Sequence, residues 1–508
     1  MTSRPPTSTD VDLERFRLRS FLESLGPDEL QKIETPVALA DVAGILEGNA
    51  KAVWFDSTGP ERASLAGNVA GSRSRLAHAF GTTPQRLLQE VLARLKARPE
   101  IVEVSSAPCQ EIVEKDPDLT ALPVHLQHGL DGAPYVSAST DFSVDRESGW
   151  VNVGMRRLML RGRREAGVDL VAPSDLRAIY LAQAKRGEAL PIAFVVGSHP
   201  IDHVAATMRI AADEAGLIAS LRAAPLPVVK CVSQDLRVPA DAEYVLEGYL
   251  HPAGHVEPEG PYGEFLGYYG AVKRNPVFHL TAITHRRDAV FQTATIGGLA
   301  LARTDTAQLC ALRSEVTVWR SLETAVRETR AVYATPSSGG MYNVRIALNQ
   351  RVPGEARNAI AAVFGSLANA KHVFVVDPDI DIFSDEQVDW AFATRFQADR
   401  DLVVATGMRT LPLDPSLGGA TTGAKAGFDL TLPMGERILE HRIPKPPTFE
   451  GRRFGSLQAA LADGPKFFAE LMAAVGSRDG REIVRELETL RASGKLSRDL
   501  EGRYEVTR

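Results

Sequence analysis

The chain has no run of 18 or more apolar residues, so nothing in it reads as a membrane-spanning helix. It has only three cysteines, Cys109, Cys231 and Cys310, far apart and in no CxxC pair. That spacing argues against a disulfide framework, a thioredoxin-like motif and a structural zinc site, and it fits a reducing cytoplasm. The opening stretch Met1–Asp10 is polar, with two prolines, and lacks the apolar core of a signal peptide. Basic charge is not in excess either. The formal net charge is −6, which speaks against a nucleic-acid partner while leaving room for an anionic small molecule held by a few local arginines. The phosphate loop GxxxxGKS/T, the zinc motif HExxH and the nucleophile elbow GxSxG are missing, and no GxGxxG stands in a strand–turn–helix setting. No internal repeat or low-complexity tract is visible.

What is present is an ordinary globular composition, 44% hydrophobic and 24% charged, over 508 residues, which calls for two or three domains. Leu13, Phe16, Leu18, Phe21, Leu22 and Leu25 follow helical spacing over 11–26, and Gly26-Pro27 stops the run. Pro84 opens a second helix over 84–97, and Ala52–Phe55 reads as a buried strand. From about 110 the pattern turns to strands: 135–144, 150–160, 191–196, 226–232, 244–250, 277–284 and 289–295, with helices near 174–186 and 200–222. A long helical stretch over 305–330 precedes a second α/β alternation with strands at 331–333, 342–348 and 373–376 and a helix near 354–368. The tail from about 456 is helical and charged.

Three segments hold candidate chemistry. Glu257–Glu264 sets three carboxylates among two prolines and two glycines, so it is a shaped loop and no helix. Trp150–Arg157 places Asn152 and Arg156 on one face of a strand and Arg157 on the other, unless a bulge intervenes. An arginine there suits a carboxylate or other anion; a half-exposed strand with outward arginines is the plainer reading. Ala212–Gly216 carries Asp213 and Glu214, which alone read as a solvated helix face. His251 and His255 have i, i+4 spacing, but Pro252 and Gly254 between them make a loop pair without metal the better reading.

Taken in order along the chain, these segments resemble a known family. Asn152-Val153-Gly154-Met155-Arg156-Arg157 resembles the NxxMxR element of the UbiD decarboxylases, and Glu259–Tyr269 resembles their EGPxGExxGYY element. Pro227–Cys231, Val238–Glu243, Ala393–Asp401 and Leu413–Ser416 continue the likeness, which runs over roughly residues 10–435. The resemblance implies an α/β (α+β) fold. A β-rich split barrel for the flavin (111–304) would be flanked by an N-terminal α/β region (1–110). A linker helix (305–330) would lead to a C-terminal α/β oligomerisation domain (331–440), followed by a helical extension (441–508).

The resemblance also assigns roles. Arg157, Glu259 and Glu264 would form a Glu–Arg–Glu catalytic network. Prenylated FMN would be held by Asn152, Gly154, Met155, Arg156, Arg157, Ser174, Asp175 and Glu214. Asn152, Asp175 and Glu214 would ligate Mn2+ or Mg2+ at the cofactor phosphate, and the Trp150 carbonyl would serve a K+ site. Asp175 departs from the family, whose metal ligand at this position is usually histidine. The implied reaction is reversible, non-oxidative decarboxylation of an aromatic, heteroaromatic or α,β-unsaturated acid, with Glu264 as proton donor. A flavin carrier without turnover and an FMN-dependent reductase are the alternatives. A flavin prenyltransferase would supply the cofactor, and a homodimer or homohexamer is expected. Ile296–Ala302 diverges from the family and is a candidate for substrate choice.

Overall fold

A computed structural model describes residues 11–435 and 439–507, so the polar opening stretch Met1–Asp10 lies outside the described residues. The chain forms two compact units, residues up to Thr431 and residues from Leu432 onward.

The centre of the first unit is a closed antiparallel barrel of six strands: Tyr135–Val144, Val151–Leu160, Glu165–Val168, Leu190–Val196, Tyr244–Leu250 and Val277–His285. It closes because Tyr244–Leu250 pairs with both Leu190–Val196 and Val277–His285. Leu190–Val196 is apolar throughout because both of its faces are covered. Ile192, Phe194 and Val196 pack with Val136, Leu158, Leu246, Phe278 and Leu280. Ala193 and Val195 pack the other way, with residues such as Ile201, Val204 and Leu217 of the neighbouring helices.

One irregularity in the barrel matters for the chemistry. Val136 pairs with Leu158 and Ser139 with Arg156, so Ser137 and Ala138 together lie opposite Arg157. An extra residue of this kind is a β-bulge, which kinks the strand and re-aims side chains nearby.

The stretch expected as one helix over 200–222 is two, Pro200–Thr207 and Glu214–Arg222. The break has a local cause. Asp213 leaves helical geometry to cap the second helix, its Oδ1 accepting from Gly216 N at 2.9 Å. Its Oδ2 accepts from Val151 N at 3.0 Å, which ties the helix start, and with it Glu214, to a barrel strand.

The N-terminal sheet contains Leu30–Ile33, Ala52–Thr58 and Ala63–Gly67, and its fourth strand is Val290–Thr293, parallel to Ala63–Gly67. The helix expected over 305–330 spans Asp305–Leu322, capped by the Thr304 hydroxyl, and the chain then enters strand Thr329–Ala334. That strand begins a five-stranded sheet in the order Thr329–Ala334, Asn343–Leu348, His372–Val376, Thr422–Leu430, Leu402–Arg409. Its three central strands are parallel and both edges antiparallel. The first helix, expected over 11–26, is only Leu18–Glu23.

The second unit has its own small core, in which Leu457, Leu461, Leu471, Ile483, Leu487 and Leu490 meet between three helices. These are Leu457–Ala462, Phe468–Val475 and Arg481–Ala492. A hairpin of Leu496–Arg498 with Tyr504–Val506 follows them, where only helix was expected.

Arg222 is fully buried between Asp202 and Asp241, at 2.5 and 2.6 Å, and joins both helices to the turn before Tyr244–Leu250. Truncating it strands two buried carboxylates, which costs about 3–5 kcal/mol. Arg222→Met is therefore expected to lower the urea midpoint of the first unit strongly. An unchanged midpoint would show that this triad does not hold the helices in place.

Candidate active site

Arg157 projects from barrel strand Val151–Leu160 toward the segment Glu257–Gly270, which folds into two short ladders. Glu257–Glu259 pairs with Lys273–Asn275, and Tyr262–Gly263 pairs with Tyr269–Gly270. Gly260 and Gly267 take φ of +98° and +90°, a region that side chains disfavour. A Cβ at Gly270 would stand 2.8 Å from Glu264 Oε1, so this glycine makes room for the carboxylate itself.

The Arg157 guanidinium is shared by three carboxylates. Its Nε and Nη2 donate to the two oxygens of Glu259 at 2.9 and 3.0 Å, and its Nη1 donates to Glu264 Oε1 at 2.7 Å. Nη2 also lies 3.1 Å from Asp169 Oδ2, which Lys273 Nζ approaches at 3.4 Å. Asn275 Nδ2 bridges Glu259 and Asp169 at 3.3 and 3.4 Å. Glu259 is wholly buried and gives Arg157 both oxygens; Glu264 gives one.

Burial opposes the charge on Arg157, but the Glu259 bonds and the charges of Glu264, Glu259 and Asp169 outweigh it and hold its pKa well above the ordinary value. Burial likewise works against ionisation of Asp169, and Arg157 and Lys273 overcome it, leaving that carboxyl below its usual range. The Tyr262 ring lies under the guanidinium, 4.5 Å from ring centre to Cζ, and its hydroxyl donates to Gln127 Oε1 at 2.6 Å. Tyr135, Met159 and Tyr262 form the apolar wall beside this network.

A second polar cluster occupies the other face of the same strand. Asn152 Nδ2 donates to Asp141 Oδ2 at 2.8 Å, and Arg156 Nε lies 3.3 Å from Asp141 Oδ1 without hydrogen-bond alignment. Glu214 Oε2 accepts from Val153 N at 2.5 Å. Burial pushes the Asp141 carboxyl up to about 6 and that of Glu214 up to about 7; the nearby charges of Asp141 and Asp175 add to the effect at Glu214. Gly154 lies opposite Asp141, and a Cβ there would meet Asp141 Oδ1 at 3.0 Å. Ser174 caps helix Asp175–Lys185 and lies 3.5 Å from Arg156 Nη2, while Asp175 is exposed at the helix start. The Trp150 carbonyl accepts from Asp145 N at 3.0 Å, and Met155 gives its carbonyl to Arg156 Nη1 at 3.0 Å.

The expected residues thus fall into two groups on opposite faces of one strand: Arg157 with Glu259 and Glu264, and Asn152, Gly154 and Arg156 with Glu214. The reading of the sequence missed Asp141, Asp169, Lys273 and Asn275. Asp141 had a visible signal, a charge in the middle of a strand whose neighbours are small or apolar. Asp169 had none, since it follows a short strand as any loop aspartate does. Glu257 pairs at the surface with Arg161 at 2.6 Å and stands apart from the network. His251 and His255 also stand apart: His251 packs against His279, and His255 Nε2 lies 3.3 Å from the Leu170 carbonyl. Among the described residues, no three His, Cys, Asp or Glu side chains converge into a metal cage.

Comparison with known proteins agrees with this architecture. Residues 26–95, 100–299 and 307–430 match the N-terminal, Rift-related and C-terminal domains of 3-octaprenyl-4-hydroxybenzoate carboxy-lyase, UbiD. The anhydromevalonate phosphate decarboxylase of Methanosarcina mazei is 30% identical over 422 residues, covering 82% of this chain and 97% of that protein. A phenolic acid decarboxylase of Sedimentibacter hydroxybenzoicus is 29% identical over 445 residues, 82% of this chain and 92% of its own. The UbiD-class enzyme HmfF from Pelotomaculum thermopropionicum, in complex with FMN, superposes with a TM-score of 0.79 at 32% identity, covering 88% of this chain and 99% of its own. An evolved dimeric form of HmfF, in complex with prFMN, gives 0.75 at 30% identity over 84% of this chain and 97% of its own. A closed six-stranded barrel, all three domains of one family in order, and relatives matched over nearly their whole length lead to one conclusion: the chain belongs to the UbiD family of decarboxylases.

Proposed function

We propose that this chain catalyses the reversible, non-oxidative decarboxylation of an aromatic, heteroaromatic or α,β-unsaturated carboxylic acid with prenylated FMN. The observation that carries the reading is Arg157 held between Glu259 and Glu264. Loss of CO2 from an unsaturated carbon leaves electrons that no side chain can accept, and the bound flavin supplies the electron sink. The chain's own residues then have three tasks. Arg157 orients the substrate carboxylate, as a planar guanidinium does well. Glu259, clamped through both oxygens, fixes the guanidinium. Glu264, held through one oxygen, delivers a proton to the carbon that has lost CO2, and in the reverse direction removes it. The apolar wall of Tyr135, Met159 and Tyr262 suits an unsaturated or aromatic acid.

The second cluster is the place for the cofactor phosphate and its cation. Asp141 Oδ1 is buried without a hydrogen bond, and two carboxyls with raised pKa values, Asp141 buried and Glu214 half-buried, face one arginine. Such a set of hard oxygen donors fits Mn2+ or Mg2+. Asn152 and Glu214 would hold the ion, with Asp175 reaching it from the helix start. Gly154, Met155, Arg156 and Ser174 would line the phosphate. The Trp150 carbonyl keeps a second lone pair for K+. Supply of the cofactor by a flavin prenyltransferase and assembly as a homodimer or homohexamer belong to the same proposal.

Glu264→Gln should lower turnover by about a hundredfold or more while the flavin spectrum is retained. Full turnover in that variant would remove Glu264 as proton donor, and product-carbon deuterium exchange with the holoenzyme would separate a decarboxylase from a mere flavin carrier. Glu214 makes a pH-dependent prediction. A cation must displace the proton that this carboxyl holds below about pH 7, so Mn2+ affinity should rise from pH 6 to pH 8 and then level off. In Glu214→Gln, affinity should be weaker and this rise absent by calorimetric titration. The same rise in the variant would exclude Glu214 from the ligands.

A further inference from the structure

The segment Leu126–Gly132 lies against the Glu264 hairpin and is attached to it at several points. Asp131 Oδ1 accepts from the Gly263 amide, one residue before Glu264, at 2.8 Å. Gly132 N donates to the Pro261 carbonyl at 2.9 Å, and Leu130 N to the Tyr269 hydroxyl at 3.0 Å. His128 sits between two acceptors. Its Nδ1 is 3.2 Å from Asp131 Oδ2, and its Nε2 is 2.9 Å from the Ile296 carbonyl. A carbonyl can only accept, and so can an ionised carboxylate. Both bonds therefore exist together only when both ring nitrogens carry hydrogen, that is, as imidazolium.

The fit is tight. A Cβ on Gly263 would lie 2.3 Å from His128 Nδ1, so the ring rests directly on the backbone that leads into Glu264. The Asp131 carboxylate is fully enclosed and also accepts from His128 N at 3.0 Å. The bond to Ile296 reaches the segment Ile296–Ala302, where a Cβ on Gly297 would stand 3.1 Å from the Glu264 carbonyl oxygen.

We propose that His128 and Asp131 are positioning residues for Glu264: Asp131 fixes the Gly263 amide, and the imidazolium of His128 couples that hairpin to the Ile296 segment. This rests on Glu264 being the proton donor. The groups facing His128 are Asp131 on its own segment, Glu47 from the N-terminal region, His125, and the ring edges of Tyr262 and Tyr269. The bond to Asp131 raises the His128 pKa above the ordinary histidine value; burial opposes this, and the charges of Asp131 and Glu47 support it. The sign follows. The coupling is complete at low pH and is lost as the pH rises through the raised value, because the neutral ring keeps one N–H for two acceptors.

Two readouts test it. In the apo chain, NMR with ring-labelled histidine should show one imidazole titrating above the ordinary value of about 6.5. That signal should vanish in His128→Gln and move down in Asp131→Asn. In the holoenzyme, His128→Gln should lower kcat by about a hundredfold, with KM and flavin content little changed, because a donor displaced by an ångström loses about that much. The alkaline limb that His128 contributes to the pH profile of kcat should disappear with it. An imidazole titrating at or below the ordinary value, or a kcat and pH profile identical to wild type, overturns the proposal. Turnover persisting in Glu264→Gln would instead overturn the role of Glu264, while the NMR titration would still decide the state of His128.

Discussion

Everything at the site depends on keeping one guanidinium charged inside the protein. Removing Arg157 from water is costly, and the structure offsets that cost with carboxylates on three sides. The count is uneven. Arg157 and Lys273 face Glu259, Glu264 and Asp169, so one negative charge is unmatched when all five are ionised. Glu259 and Asp169 are tied by further donors, Asn275 and Lys273, whereas Glu264 has an oxygen to spare. An excess of one negative charge, carried by the least restrained carboxylate, is a suitable arrangement for moving one proton.

The barrel strand Val151–Leu160 is the physical link between the two polar clusters. Alternation sends Asn152, Gly154 and Arg156 to one face and Arg157 to the other, so one stretch of chain holds both the Asp141–Asn152–Glu214 cluster and the Arg157–Glu259–Glu264 network. The bulge at Ser137–Ala138 sits opposite Arg157, at the point where the network begins. Rigidity comes from pairing on both sides, with Tyr135–Val144 and with Glu165–Val168. Residues placed on such a strand are held more closely than residues on loops, whereas Glu264 stands on the glycine-rich hairpin beside it.

Much of this was legible in the sequence, and the failures have physical reasons. Five of the six barrel strands could be read as short runs rich in apolar and β-branched residues, and Tyr135–Val144 and Tyr244–Leu250 have the bounds expected for them; the four-residue strand Glu165–Val168 was too short to show. The opposite faces of Arg156 and Arg157 follow from alternation alone. The pairing of Arg157 with Glu259 and Glu264 came from the ordered motifs, since residues a hundred positions apart share no local signal. Asp169 escaped because only the folded chain brings it to Arg157. The break before Glu214 escaped because no proline or glycine lies between Met208 and Asp213, and the capping aspartate looked like one more charge on a helix face. In the tail, Asp499–Arg503 is a turn whose flanking strands are only three residues each, too short for alternation to show.

The strand Val290–Thr293 links the two ends of the catalytic half in another sense. Leu65 pairs with Phe291 across the whole barrel sequence. During synthesis, Ala63–Gly67 must therefore wait as an unpaired sheet edge until the barrel has been made, and such edges invite pairing with other chains. A ladder closed over so long a loop forms slowly. The N-terminal sheet is thus the first to be started but is completed only after the barrel, and its last strand enters directly from the barrel. The period for which this edge stands open is a consequence of this one parallel pairing, set by topology and independent of any residue that touches substrate.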